Sequence, residues 1–193
     1  MLGLLRAGAR VVAVDGRSGA GKTTLAEWLA AALPRSVVVH TDDIAWFHAR
    51  FDWAALMREG VLEPAVRGEA VAYRPPPWDA RSRPGAVEVP ADWDLLVIEG
   101  VGAGRAELAE VVDAVVWVQS DRDVSRARGI ARDGGDAAAV AEWEDWQSEE
   151  VPFLARDRPW ERAAVVVGGT GVAADLPPGW VLVAGRPARR DRS

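Results

Sequence analysis

Residues Gly16-Arg17-Ser18-Gly19-Ala20-Gly21-Lys22-Thr23 match the pattern G-x-x-x-x-G-K-[ST] in full, and no other stretch of the chain constrains its fold so tightly. The pattern has a mechanical meaning. Its glycines let successive backbone N–H groups turn inward around a phosphate, and a helix that starts at the lysine aims its positive end at the same place. Such a loop works only between a buried strand and a helix. Both flanks are present. Arg10–Val14 is a short apolar run that reads as a buried strand, and Lys22–Leu33 carries apolar residues at helical spacing until Pro34 stops it. Gly16, Ser18, Gly19, Ala20, Gly21, Lys22, Thr23 and Thr24 are therefore the expected phosphate-binding residues. Lys22 would contact the β- and γ-phosphates of ATP, and the Thr23 hydroxyl would ligate Mg²⁺.

Composition strengthens this reading. Of 23 basic residues only Lys22 is lysine, and the chain has no asparagine, a usage that fits GC-rich coding. Arginine replaces lysine on solvated surfaces at little cost, but a phosphate cradle needs a compact ammonium on a thin stem rather than a planar fork. The single lysine stands where that chemistry requires it. Absence of cysteine excludes disulfides and thiolate metal sites. A net charge of −6 offers no basic field to nucleic acid. No run approaches the roughly 18 apolar residues of a membrane span, and Met1–Val14, interrupted by Arg6 and Arg10, lacks the pattern of a signal peptide. The expectation is a cytoplasmic protein with neither nucleic-acid nor membrane partners; no pattern speaks to its oligomeric state.

Further along, Ser36–His40 is a β-branched run ending in acidic residues, and Phe51–Arg67 reads as helical with interruptions at Gly60 and Pro64. The Pro-, Gly- and Arg-rich stretch from Ala70 to Pro90 reads as a hairpin or long excursion. Leu95–Ile98 and Ala114–Val118 are buried strands, Asp123–Arg132 and Ala137–Glu150 are helices around Gly134-Gly135, and Ala163–Val167 and Trp180–Val183 complete the strands. Near-continuous apolar strands alternating with helices predict an α/β three-layer sandwich, its mostly parallel sheet covered by helices on both faces. Residues 1–184 form one expected domain with a small lid around 123–150, and 185–193 a flexible basic tail. Ligands of such sheets bind beyond the carboxyl ends of the strands. Asp15–Thr23, Asp42-Asp43 and Glu99-Gly100 each follow an apolar strand directly.

A carboxylate at Asp42 or Asp43 is placed to take the proton of an acceptor hydroxyl as it attacks a γ-phosphate, or to hold Mg²⁺; the structural alternative is a helix N-cap. Glu99, ending the run Leu95-Leu96-Val97-Ile98, is a further candidate near the metal. Arg128 and Arg132 share a helical face and are candidates to close over the transferring group, against a solvated face paired with Asp121, Asp123 and Asp133. Arg156, Arg158 and Arg162 form a weaker second set. Trp46, His48, Trp53 and Tyr73, with Asp43, are the candidate acceptor contacts, because aromatic rings beyond a catalytic carboxylate can stack a planar ligand. His40 and His48 lack metal-ligand spacing, and His40 reads as structural.

These segments together resemble the uridine kinase-like group of P-loop nucleoside kinases, and most of all a branch often labelled uridine kinase in actinobacteria. The resemblance is carried by Val14–Thr24, His40-Thr41-Asp42-Asp43-Ile44-Ala45-Trp46, Val97–Gly104, Arg126–Asp133 and Phe153–Ala163, and spans Arg10 to Gly168. It implies a P-loop NTPase fold, ATP and Mg²⁺, Asp42 as catalytic base, and Arg128 and Arg132 as lid arginines reaching the phosphates. The family's Asp-x-Phe-Tyr pattern is here Asp42-Asp43-Ile44-Ala45, so phosphoryl transfer is implied more strongly than uridine as acceptor. The expected function is transfer of the ATP γ-phosphate to a hydroxyl of a small molecule, a uridine- or cytidine-like nucleoside. Alternatives are an antibiotic or other natural-product hydroxyl, or a nucleotide-binding regulator or NTPase without an acceptor. A GTPase would need a second lysine in its guanine-reading motif, and there is none.

Overall fold

Alternation along the first strand sets up two faces of a sheet. In β1 (Val11–Gly16) all six residues are buried. Val11 and Ala13 join one apolar cluster, and Val12 and Val14 join another. Because successive side chains of a strand point to opposite faces, a strand that is apolar at every position must be covered on both sides. The computed structural model describes residues 8–169 and the strand Val183–Ala184. Its main sheet runs β2–β5–β1–β6–β7–β8, from β2 (Ser36–His40), β5 (Leu95–Glu99), β6 (Ala114–Gln119), β7 (Val165–Gly168) and β8 (Val183–Ala184). All pairings are parallel except β7 with β8. The α/β sandwich expected from the strand pattern is the fold observed.

On one face lies α1 (Lys22–Ala30), whose Leu25, Ala26 and Leu29 pack on Val12, Val14, Leu95, Val97, Val116 and Val118. Each such buried aliphatic side chain contributes about 1.5–3 kcal/mol. The other face is larger. It collects α3 (Ala54–Met57), a π-helical turn at Arg58–Leu62 and α4 (Glu63–Val66), followed by the two-stranded antiparallel hairpin of β3 (Val71–Tyr73) and β4 (Val87–Val89). Gly60 does not break the helical segment as its sequence suggested. It sits inside the π turn, where a β-carbon would run into the Tyr73 ring. The excursion from Ala70 to Pro90 is indeed a hairpin, with α5 (Pro76–Ala80) between its strands.

Two helices follow β6. Asp121 caps α6 (Arg122–Arg132) by accepting from the N–H groups of Asp123 and Val124, and Asp136 caps α7 (Ala137–Asp157) by accepting from that of Ala139. α7 runs through Pro152 well past its expected end at Glu150. The ring of Trp143 lies against Gly129, so the two helices approach closely, and Arg126 pairs with Glu144 across them at 2.8 Å. Of the last expected strand, Trp180–Leu182 lies outside the described residues, as does the tail 185–193. Among the described residues no helix is long and apolar enough to cross a membrane.

Candidate active site

Parallel pairing in register brings the strand ends together. Glu99 is the partner of Val14 on one side and of His40 on the other, so the phosphate loop after β1, the acidic pair after β2 and the strand-end acid of β5 share one edge. The loop's conformation depends on its glycines. Gly19 has φ +73, and a β-carbon there would collide with the Ser125 carbonyl of α6. Gly21, at φ 97, is the N-cap of α1 and supplies no side-chain cap. The first-turn N–H groups of α1 are thus left to an anion. Lys22 is only 8% exposed, and its ammonium bends back to donate to the Arg17 carbonyl at 3.1 Å. The hydroxyl-bearing Thr23 and Thr24 face solvent in the first turn.

Behind the loop lies Asp15, a fully buried carboxylate that sequence reading did not single out by role. One oxygen accepts from the N–H groups of Gly16 (2.7 Å) and Gly102 (2.9 Å), the other from that of Gly104 (2.9 Å). It ties the phosphate loop to the glycine turn after β5. Desolvation raises its pKa to about 6 against the opposing pull of these three N–H donors and of Lys22. The signal was present in sequence as an acid at the end of an apolar strand, next to a second glycine-rich turn at Glu99–Gly104.

The acidic pair divides its labour. Asp43 is committed: its carboxylate pairs with Arg83 at 2.5 Å, and its carbonyl accepts from the Trp78 indole N–H at 2.8 Å. The Arg83 guanidinium lies 3.8 Å from the centre of the Trp78 ring and 5.0 Å from that of Trp46. The β3–β4 hairpin is thereby fastened to α2 (Thr41–Ala45). Asp42, on the same helix, keeps one edge exposed to solvent while the protein around it lines the rest, and among the described residues nothing hydrogen-bonds its carboxylate. Desolvation by the surrounding protein and the charge of Glu99 push its pKa up, while Lys22, Arg132 and His40 pull it down. Asp42, Lys22 and Arg132 therefore share one electrostatic neighbourhood.

Glu99 takes up His40, Oε2 to Nδ1 at 2.7 Å. That bond, with the charges of Glu99, Asp43 and Asp42, raises the His40 pKa against desolvation. His40, read from sequence as structural, thus belongs to the cluster; only the register of β2 with β5 reveals it.

Other expected residues are placed differently. Trp53 is a core residue, 1% exposed, with its indole N–H donated to the Arg50 carbonyl, so it is closed to any ligand. His48 bonds the Asp52 carbonyl through Nε2 at 2.9 Å and lies on the exposed loop after α2. Trp46 is half-buried and edge-on to Phe47 at 4.6 Å. Tyr73 packs on the π turn, and burial raises its pKa. Arg128 donates to the Gly169 carbonyl at 2.9 Å, and Gly169 itself lies against the Ala20 carbonyl of the phosphate loop. Arg132 makes two bonds to Asp133, at 2.8 and 2.9 Å. Arg158 and Arg162 are held by Glu161 and Asp157, and Arg126 by Glu144.

As a set of metal donors, the edge offers the Thr23 hydroxyl with the carboxylates of Asp42 and Glu99. Among the described residues no group of three or more His, Cys, Asp or Glu side chains forms a cage. Few carboxylates and a hydroxyl suit Mg²⁺, which keeps much of its water and takes the rest of its shell from bound phosphates.

No family model matches the chain. Among solved structures it is similar to a possible uridine kinase from Bacillus stearothermophilus, with 19% identity over 82% of this chain and 88% of that one, at a TM-score of 0.52. Weaker likenesses are to a candidate fructose transport system kinase from a Silicibacter species (25% identity, 80% and 85% covered, TM-score 0.49) and to shikimate kinase from Bacteroides thetaiotaomicron (14% identity, 83% and 86% covered, TM-score 0.43). The first likeness establishes a shared α/β fold over most of both chains.

Proposed function

We propose that this chain is an ATP- and Mg²⁺-dependent small-molecule kinase that transfers the γ-phosphoryl group to a hydroxyl of a nucleoside-like acceptor. The observation that carries the reading is the division between the two aspartates. Asp43 is neutralised by Arg83, while Asp42 stands unpaired beside Lys22 at the edge where the phosphate loop ends. A general base needs a lone pair free to accept a proton, and Asp42 has one. The same carboxylate would activate water in an NTPase, so stimulation of turnover by an acceptor is what separates the two.

In this reading Gly19–Thr23 bind the donor phosphates through backbone N–H groups, and Lys22 leaves the Arg17 carbonyl to neutralise them. Asp42 orients the acceptor hydroxyl and takes its proton. Arg128 and Arg132, on a lid formed by α6 and α7, exchange their present partners for the transferring group. Thr23, with Asp42 and Glu99 acting through water, would hold Mg²⁺, which when bound neutralises charge on the phosphates. His40 keeps Glu99 turned toward this edge.

A second reading keeps the chemistry and changes the acceptor to another hydroxylated metabolite. Its support is that Trp53 is sealed in the core and Trp46 is already covered by Phe47 and Arg83, leaving few free rings to sandwich a base. A panel of nucleosides and hydroxylated metabolites, scored by ATP-to-ADP conversion and mass of the phosphorylated product with Lys22→Ala as blank, separates the two. Stimulation by uridine or cytidine alone supports the nucleoside; stimulation by another class supports the second reading; turnover indifferent to every acceptor sinks the kinase assignment.

A further inference from the structure

We propose that Glu150, buried in α7, is a positioning residue that holds the apex of the phosphate loop in register with the acceptor side of the cleft. This rests on the reading of Gly16–Thr23 as a phosphate loop. Glu150 is fully buried. Its Oε1 accepts from the backbone N–H of Ser18 at 3.2 Å, while its Oε2 accepts from the Trp146 indole N–H and from Gln147 Nε2, the latter at 2.9 Å. All three partners are uncharged N–H donors. A carboxylate buried without a cation is expensive to keep, and an apolar residue would pack the helix with less cost. What the carboxylate supplies is acceptor capacity on both sides at once: one oxygen for the loop, one for its own helix.

The same stretch of α7 grips the segment that follows the acidic pair. Arg50 bonds Asp145 at 2.6 Å and Glu149 at 2.9 Å. Phe51 lies 5.4 Å from Trp146 and stacks on Phe153 at 4.5 Å with rings 12° apart. Trp146 therefore touches both systems, with its ring on Phe51 and its N–H on Glu150. One rigid helix thus fixes Ser18 and the Arg50–Phe51 segment relative to each other. In-line transfer requires donor and acceptor within about 3–3.5 Å in the correct orientation, so a strut joining the two walls has a direct catalytic consequence.

The test is binding of ATP·Mg²⁺ by calorimetry to wild type, Glu150→Gln and Trp146→Phe, with the Ser18 amide followed by NMR. Glutamine offers one acceptor oxygen and must point N–H groups at a donor, so one side of the clamp fails. We expect Kd to rise about tenfold for Glu150→Gln and about threefold for Trp146→Phe, which keeps an aromatic ring near Phe51 but loses the N–H and part of the indole's contact area. The Ser18 amide should be protected from exchange in wild type with and without nucleotide, and lose protection in Glu150→Gln. A folded Glu150→Gln that binds ATP as tightly as wild type, or more tightly, overturns the proposal, because the carboxylate then only repels phosphate. Undiminished Ser18 protection in folded, nucleotide-free Glu150→Gln also overturns it, since the amide would then not depend on the carboxylate. If Glu150→Gln does not fold, the Kd of Trp146→Phe decides in the same way. Wild type that binds no ATP at all overturns the phosphate-loop reading itself, a result distinct from the others.

Discussion

In the phosphate loop, every group the chemistry needs lies within eight consecutive residues, Gly16–Thr23, fixed by backbone geometry at the head of one helix. On the side proposed for the acceptor the groups come from distant segments: Asp42 and Asp43 from α2, Arg83 and Trp78 from the hairpin excursion, Arg50 and Phe51 from the loop after α2, and Trp146 from α7. The loop is a local motif that works wherever a strand delivers it. The acceptor wall is a set of side-chain bonds that exist only once the chain has folded. Backbone N–H groups recognise any polyphosphate, whereas side chains from four segments can be exchanged to suit an acceptor.

The contrast can be broken at several points. The largest effect is expected from Lys22→Ala, which should lower ATP turnover about a thousandfold by removing the one lysine from the loop. Turnover assays on this variant with the preferred acceptor check it. Asp42→Asn should leave ATP binding intact and cut phosphoryl transfer about a hundredfold or more. Asp43→Asn should not reproduce that loss, because Asp43 serves Arg83. Wild-type transfer by Asp42→Asn would remove Asp42 from its role. In the active protein, the acidic limb of the transfer rate should be shifted upward from the ordinary aspartate value, since desolvation and Glu99 raise the Asp42 pKa against Lys22, Arg132 and His40, and the base acts ionised.

Asp15 gives a prediction on stability. Its folded pKa, about 6, lies above its unfolded value of 3.8, so the native state binds its proton more tightly than the unfolded chain. Its contribution is therefore full below about pH 4 and is lost as pH rises through about 6, a change of up to about 3 kcal/mol. Urea unfolding of wild type and Asp15→Asn between these limits measures the difference, and parallel curves would contradict the assignment. His40, with a raised pKa, works in the same direction at higher pH: its stabilisation is present below pH 6.5 and disappears as pH passes its folded value.

Smaller effects sharpen the two walls. Trp53→Phe should cost about 2 kcal/mol in unfolding free energy and leave acceptor KM unchanged, because Trp53 is core. Arg83→Ala should cost only about 1 kcal/mol yet raise acceptor KM with ATP KM unaffected, since it unfastens the hairpin from α2. If the two variants exchange these signatures, the assignment of wall and core is reversed.

How much was readable in advance follows the same division. The strands β1, β2, β5, β6 and β7 were legible because near-continuous apolar or β-branched runs belong in a covered sheet, and the strand–loop–helix at Gly16–Thr23 because eight residues suffice to define it. The helical stretch around Gly60 was misjudged as broken, since a glycine lowers helix propensity but the packed Tyr73 ring rewards it there. Trp53 was misjudged as an acceptor contact, because a tryptophan near an acidic pair looks the same in sequence whether it faces a cleft or the core. The bonds of His40 to Glu99 and of Glu150 to Ser18 were not legible. Neither His40 nor Glu150 has any local pattern, and each acquires its partner through strand register or helix packing.

The sequence by itself determined the fold class, the strand ends that share one edge, and the glycine-rich loop between β1 and α1, because hydrophobic period and backbone freedom are local properties that survive in one dimension. Only the tertiary structure decided which aspartate is spoken for, which tryptophan is buried, and that a histidine from β2 bonds Glu99 while a glutamate from α7 bonds Ser18. Those are pairings between atoms remote in the chain, and a pairing energy of a few kcal/mol leaves no mark on the order of residues until folding brings the partners within bonding distance.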